Sequence, residues 1–240
     1  MDRPTTTLFM ISSLDGKIST GNTDAMDVDK DYPLIPGVKE GLYQYYELEN
    51  KTDRVSMNSG LVQAKIGVNE RDLSAAKKDD ISFILVDNKP HLDQNGCEYF
   101  AKRSQTFYLI TTNRNHPAFD LQSQYGNIRI LFYENEIDFM DIFKRFKEEF
   151  GIERVTIQTG GTLNARLLRM GLVDYVSLVI APCLIGGKDT PSLIDGESLH
   201  QSEELFNIRA LELYEVTRLS DSYLHVQYKV LNQGQDTARE

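Results

Sequence analysis

The stretch Val155-Thr-Ile-Gln-Thr-Gly160-Gly161-Thr162-Leu163-Asn164 carries a strand through paired glycines into a helix. Val155 to Thr159 alternates as a strand does, and Leu163, Leu167, Leu168 and Met170 continue with helical spacing up to Gly171. Such a strand-turn-helix unit belongs to α/β chains. Glycines let backbone N–H groups approach a pyrophosphate without a Cβ in the way, and a helix start attracts its charge. A tight turn that binds nothing fits the same residues equally well.

Outward from this unit, strands are expected over Thr5–Ser12, Asp53–Met57, Ile81–Val86, Thr106–Ile110, Ile128–Tyr133 and Val173–Ile185. Ser19 to Pro36 reads as irregular, and a helix after Gly37 carries Leu42, Tyr45, Tyr46 and Leu48. Ile137, Met140, Phe143, Phe146 and Phe150 recur every three or four residues and share one helical face. Arg209–Leu219 and Tyr223–Leu231 flank Ser220-Asp221-Ser222, the layout of a C-terminal antiparallel hairpin. The expected fold is therefore α/β, with a mixed, mostly parallel sheet closed by that hairpin.

With 240 residues and 40% hydrophobic content, the chain is expected to form one domain over 1–232, with residues 233–240 as a frayed tail. No apolar run approaches the roughly 18 residues of a membrane span, and the start Met1-Asp2-Arg3-Pro4 leads straight into strand-like chain, so a cytoplasmic protein is expected. Cys97 and Cys183 lack Cys-x-x-Cys spacing and read as ordinary thiols. A net charge of −10 without a Lys/Arg block opposes nucleic acid as a partner, yet permits a small phosphorylated ligand held locally.

Two further motifs sit at strand ends, where α/β sheets hold ligands. Ser12-Ser-Leu-Asp15-Gly16-Lys17-Ile18 presents a carboxylate and an ammonium two residues apart, although an Asp-Gly turn with solvated neighbours explains it too. In Leu178-Val-Ile-Ala181-Pro182-Cys183-Leu184-Ile185-Gly186-Gly187 the proline should end sheet pairing, while the glycines permit close approach of a ligand. The acidic run Asp27-x-Asp29-x-Asp31 starts like a calcium loop but has Tyr32 at the turn-glycine position and Val38 at the twelfth, so no metal is expected. His91, His116, His200 and His225 stand singly, with no nucleophile elbow.

In order and spacing these motifs resemble the reductase domain of riboflavin biosynthesis, a dihydrofolate-reductase-like family with a Ser-Leu-Asp-Gly-Lys start. That family continues from a Gly-Gly-Thr-Leu turn into Gly-Leu-Val-Asp-Glu and Ala-Pro-x-Leu-x-Gly-Gly, as Gly171-Leu-Val-Asp174 and Ala181 to Gly187 do here. The resemblance implies a three-layer α/β fold, a homodimer, and reduction of a ribosylamino-pyrimidine phosphate to its ribityl form by NADPH. It implies that Gly160, Gly161, Thr162 and Leu163 line the pyrophosphate, and that Leu184, Gly186 and Gly187 pass the nicotinamide. Thr111, Thr112 and Arg114 fit the adenosine end, Arg114 meeting the 2′-phosphate with its planar guanidinium, although a solvated loop arginine is as good a reading. Asp15 and Lys17 are the candidates for the group that stabilises or protonates the reacting centre.

Departures from the family pattern bear on substrate. Thr159 stands where the family has Glu. Asp53-Arg-Val-Ser-Met-Asn-Ser59-Gly60 replaces Asp-Ala-Val-Leu-Val-Gly-x-Gly-Thr, leaving Ser59 and Gly60 as the cofactor residues of that turn. The Asp-Asp-Pro-x-Leu-Thr-x-Arg segment has no counterpart between Val62 and Ser74. A reductase of another small molecule, or a nucleotide-binding protein without turnover, therefore stands beside the riboflavin reading.

Overall fold

Apolar and β-branched residues along Thr5–Ser13 make the first strand of a computed structural model that describes residues 2–232. The frayed tail expected at 233–240 lies outside the described residues. In chain order the elements are β1 (Thr5–Ser13), α1 (Val28–Asp31), α2 (Tyr43–Glu49), β2 (Val55–Ser59), α3 (Gly60–Lys65) and β3 (Ser82–Val86). There follow α4 (Gln94–Arg103), β4 (Phe107–Thr111), α5 (Ala118–Leu121), β5 (Ile128–Phe132) and α6 (Phe139–Glu148). The last are β6 (Arg154–Ile157), α7 (Gly161–Arg169), β7 (Tyr175–Ala181), β8 (Ala210–Arg218) and β9 (Leu224–Leu231).

These elements divide into two compact units. The first takes the chain up to Pro4 and Asp53–Thr159, the second Thr5–Thr52 and the chain from Gly160 on. Within the first unit five strands run in the order β5-β4-β3-β2-β6, every pair parallel. Leu85, Phe100, Phe107 and Leu109 lie in one core cluster that packs α4 and α5 onto β3 and β4. On α6 the buried stripe is Phe139, Ile142, Phe143 and Phe146, with Asp138 capping the helix by accepting from the N–H groups of Met140 and Asp141. Met140 and Phe150, expected on that stripe, are only half-buried.

The second unit holds β1-β7-β9-β8, with β1 parallel to β7 and the other two pairs antiparallel. Phe9, Ile11, Tyr32, Tyr45, Val179 and Tyr223 share its core, Phe9 stacking on Tyr45 at 5.3 Å between ring centroids. The motif Gly171-Leu-Val-Asp174 proves to be structural. Gly171 takes φ +69 just past α7, Leu172 and Val173 are fully buried, and the Asp174 carboxylate accepts from the Thr6 N–H at 2.9 Å, fixing β1 beside β7. Asp221 and Ser222 both take positive φ (54° and 65°), as a two-residue hairpin turn between β8 and β9 requires.

The mixed, mostly parallel α/β arrangement with its C-terminal antiparallel hairpin is thus as expected. Three local expectations need correction. Ser19–Pro36 contains α1 and a 3-10 turn at Tyr32–Leu34, because Asp27 caps α1 through the Asp29 N–H and Val28 and Tyr32 are buried. Asp29 accepts from the Tyr46 hydroxyl at 2.8 Å and Asp31 from Thr20, so this acidic run serves the fold. Strand β7 stops at Ala181 and not Ile185, since Pro182 has no N–H to give the ladder. Helix α4 was not expected, because Gly96 interrupts its first turn; the Asp93 carboxylate caps it by accepting from the Gly96 N–H at 2.8 Å.

Candidate nucleotide-binding and reduction site

The paired glycines at the start of α7 do two different jobs. Gly160 is the N-cap at φ −73, ψ 159, a conformation open to any residue, and a Cβ there would meet no atom within 4 Å. Its carbonyl accepts from the N–H groups of Leu163 and Asn164 at 3.0 Å each, leaving those of Gly161 and Thr162 outside the helix's own ladder. Among the described residues, no side chain caps this end of α7. Gly161, by contrast, is glycine for packing. A Cβ there would collide with the Ser192 carbonyl oxygen and lie 2.5 Å from Asp195 Oδ2. An anion such as a pyrophosphate therefore fits the open Gly160 side of the turn, where N–H groups and the helix dipole face it. Thr162 is exposed and Leu163 half-buried beside it.

The Asp15 turn belongs to the same unit. Lys17 N–H donates to Ser13 Oγ at 2.9 Å, and Ser13 Oγ donates to Asp15 Oδ1 at 2.5 Å. Asp15 also accepts from the N–H groups of Ile185 at 3.1 Å and Gly186 at 2.6 Å. The Ser13 hydroxyl first, then those two N–H groups, hold the Asp15 carboxyl down at about 2. Its oxygens thus tether the loop of Leu184, Gly186 and Gly187 through the N–H groups of Ile185 and Gly186. Both glycines take positive φ (70° and 81°), and Gly187 packs against Thr190. Lys17 Nζ gives hydrogen bonds to Thr190 O at 2.8 Å and Ser192 Oγ at 3.1 Å.

Beside this loop lies an apolar pocket of about 500 Å³ lined by Leu14, Ile180 to Leu184, Ser222 and Leu224. Leu14 and Leu184 are 65% and 73% exposed, too much for core residues and suited to a flat ring laid over them. Burial raises the Cys183 thiol above its ordinary value, which keeps it protonated.

Within the first unit, two of the expected cofactor residues, Gly60 and Thr111, lie against a buried residue, Asp87. Asp87, after β3, accepts from His91 Nδ1 at 2.7 Å, His116 Nε2 at 3.1 Å and the Leu92 N–H at 3.1 Å. Burial pushes its carboxyl up, but the hydrogen bonds from His116, His91 and the backbone outweigh that and leave it below the usual range. Gly60 is glycine because this carboxylate packs directly on it, and Ser59 Oγ accepts from the Val62 N–H at 3.4 Å. The Asp87 carboxylate thus stands where a side chain on residue 60 would lie, at the start of α3. Thr111 is fully buried with its hydroxyl donating to Asp87 O at 2.7 Å, which ties the ends of β3 and β4 together. Thr112 N–H donates to Asn88 Oδ1 at 3.0 Å. Arg114 is exposed, over the Phe132 ring at 4.3 Å and paired with Glu134 at 2.9 Å.

Sequence reasoning missed Thr190, Ser192 and Asp195, which join the Asp15 turn to the start of α7, and the meeting of His91 and His116 on Asp87. Asp195-Gly196 repeats the Asp-Gly signal of Asp15-Gly16 and was there to be read. The two histidines, 25 positions apart, carry no such signal.

The family described as the RibD C-terminal domain matches residues 4–224. A 2,5-diamino-6-ribosylamino-4(3H)-pyrimidinone 5′-phosphate reductase of Methanothermobacter thermautotrophicus is 26% identical, over 88% of this chain and 93% of that one. Its namesake from Archaeoglobus fulgidus is 23% identical, over 82% and 88%. Among solved structures, RibD of Acinetobacter baumannii aligns with a TM-score of 0.67 and 14% identity, over 96% of this chain but only 59% of that one. Riboflavin biosynthesis reductase Rib7 of Saccharomyces cerevisiae aligns with a TM-score of 0.59 and 16% identity, over 96% and 91%. At such identities the structures speak for the fold alone, whereas the match over 4–224 covers most of the sequence: the chain belongs to the RibD C-terminal domain family.

Proposed function

We propose that the chain is an NADPH-dependent reductase that converts the ribosyl group of a ribosylamino-pyrimidine 5′-phosphate to ribityl, in riboflavin biosynthesis. The observation that carries this reading is the family membership over 4–224, joined by near full-length archaeal relatives named as reductases of such a substrate. The open Gly160 at an uncapped helix start supports a dinucleotide in particular.

NADPH, when bound, supplies the hydride, and the chain does the rest. The N–H groups of Gly161 and Thr162 bind the pyrophosphate, with Leu163 behind them. Asp15, as an ion, anchors Ile185 and Gly186, so that Leu184, Gly186 and Gly187 would present one wall to the nicotinamide beside the apolar pocket. Lys17 would hold a proton toward the oxygen or nitrogen bonded to C1 of the opened ribosyl group, where negative charge develops as the hydride reaches C1. Arg114 is the residue that the family resemblance would set against the 2′-phosphate; its exposed pair with Glu134 holds by at most about 1 kcal/mol.

Residues 1–232 act as one cytoplasmic, dihydrofolate-reductase-like domain in this reading, because the chain passes between the two units three times and neither is a continuous segment. The protein works as a homodimer through β8. That edge strand exposes Leu211 (45%), Leu213 (56%), Tyr214 (72%) and Val216 (53%), with Leu224 and Val226 half-buried on β9. Thr159, a buried hydroxyl where the family carries Glu, favours as the second reading a reductase of a different small molecule. Incubating the protein with NADPH and 2,5-diamino-6-ribosylamino-4(3H)-pyrimidinone 5′-phosphate separates the two. Substrate-dependent loss of NADPH absorbance supports the first, and NADPH binding without turnover of this compound the second.

A further inference from the structure

The segment from Thr190 to Asp195 lies outside the motifs quoted from the sequence, yet it touches both parts of the second unit's site. On one side Ile18 N–H donates to Pro191 O at 3.0 Å and Leu193 N–H to Gly16 O at 2.9 Å, which zips the segment alongside the Asp15-Gly16-Lys17 turn. On the other, Asp195 N–H donates to Gly161 O at 3.0 Å and Asn164 Nδ2 to Leu193 O at 2.9 Å, which clamps it on the first turn of α7.

Ser192 stands where the two sides meet. Its carbonyl oxygen fills the space that a Cβ on Gly161 would take. Its N–H donates to the Asp195 carboxylate at 3.0 and 3.2 Å, and its hydroxyl accepts from Lys17 Nζ at 3.1 Å. An ammonium on a flexible four-carbon stem has no preferred aim of its own, so acceptors must supply one. Thr190 O and Ser192 Oγ take two of its three N–H bonds and leave one for a ligand.

We propose that Ser192 is a positioning residue, whose hydroxyl aims the Lys17 ammonium from a strap that also clamps the pyrophosphate-binding turn, so that proton donor and cofactor keep a fixed separation. This rests on Lys17 being the group that meets the substrate. The strap makes the geometry one piece: Ser192 cannot shift without moving either Gly161 or Lys17.

The test uses full-length protein carrying Ser192→Ala or Ser192→Thr. In Ser192→Ala kcat falls about tenfold while KM and NADPH affinity stay within about twofold, as for loss of an interaction used only in the transition state. Ser192→Thr, which keeps the hydroxyl, restores kcat to within about threefold of the parent. A second readout does not need turnover: acylation of Lys17 by an amine-reactive ester, followed by peptide mass spectrometry, speeds up severalfold in Ser192→Ala and returns to the parent rate in Ser192→Thr. Unchanged Lys17 acylation in Ser192→Ala overturns the proposal, as does faster acylation with kcat untouched. Should the parent protein reduce no ribosylamino-pyrimidine, the reductase reading fails, and the acylation rates alone decide whether Ser192 restrains Lys17. If Ser192→Ala does not fold, Ser192→Cys keeps the size, weakens the acceptor, and is read the same way.

Discussion

Alanine at Gly160 and alanine at Gly161, one position apart, should fail in opposite ways. At Gly160 the new Cβ points into space free of other atoms within 4 Å, and φ −73 suits alanine, so the folded chain accepts it. Alanine is a poorer N-cap than glycine by roughly 1 kcal/mol, an effect that the stiffer unfolded chain offsets by about 0.4–1 kcal/mol, leaving stability nearly unchanged. That same Cβ occupies the approach of the pyrophosphate to the N–H groups of Gly161 and Thr162. Losing one charge-assisted hydrogen bond costs about 1.5–3 kcal/mol, so NADPH binding should weaken roughly ten- to a hundredfold. At Gly161 the Cβ runs into the Ser192 carbonyl and the Asp195 carboxylate. Overpacking of this kind costs about 1–3 kcal/mol, a fall in Tm of roughly 2–12 °C for a chain this long. Thermal unfolding without ligand, with calorimetric titration of NADPH, reads both. Unweakened NADPH binding in a folded Gly160→Ala protein would refute the placement of the pyrophosphate, and an unaltered Tm in Gly161→Ala would refute the packing argument.

Three further outcomes follow from the same geometry. Arg114→Ala should weaken NADPH about ten- to a hundredfold more than NADH, with little change in Tm because its partner Glu134 is exposed; equal weakening of both cofactors would put Arg114 elsewhere. Asp15 is held down at about 2, so its grip on the Leu184–Gly187 loop is complete above the ordinary carboxylate value of 3.8 and is lost as pH falls from there through about 2. The Gly186 amide resonance should titrate near 2 and be flat in Asp15→Asn; a midpoint near 3.8 would contradict the bond. Leu213→Glu on the exposed edge strand should convert a dimer to monomers in sedimentation equilibrium, and a parent protein that is already monomeric would exclude β8 as an interface.

What the sequence made legible was what depends on neighbours along the chain. The β-branched and apolar run Thr5–Ser12, helical spacing around Phe139–Glu148 and the Gly160-Gly161 break mark their elements because each needs only local geometry. Contacts with distant partners were not legible. An added Cβ at Gly161 would meet Ser192 and Asp195, and one at Gly60 would meet Asp87, neither of which local sequence signals. The partners of Asp15, the Ile185 and Gly186 N–H groups, stand 170 and 171 residues on. Arg114 could be read either way from sequence, and its exposed pairing with Glu134 leaves it available to a phosphate.

The most direct measurement of the central claim is isotopic. With NADPH carrying deuterium at the transferable C4 position, the account predicts that the ribosylamino-pyrimidine phosphate is converted to a ribityl product with one deuterium at C1 of the sugar chain, found by mass spectrometry and NMR. Unchanged substrate, or a reduced product whose C1 carries no deuterium while the cofactor is consumed, would contradict it.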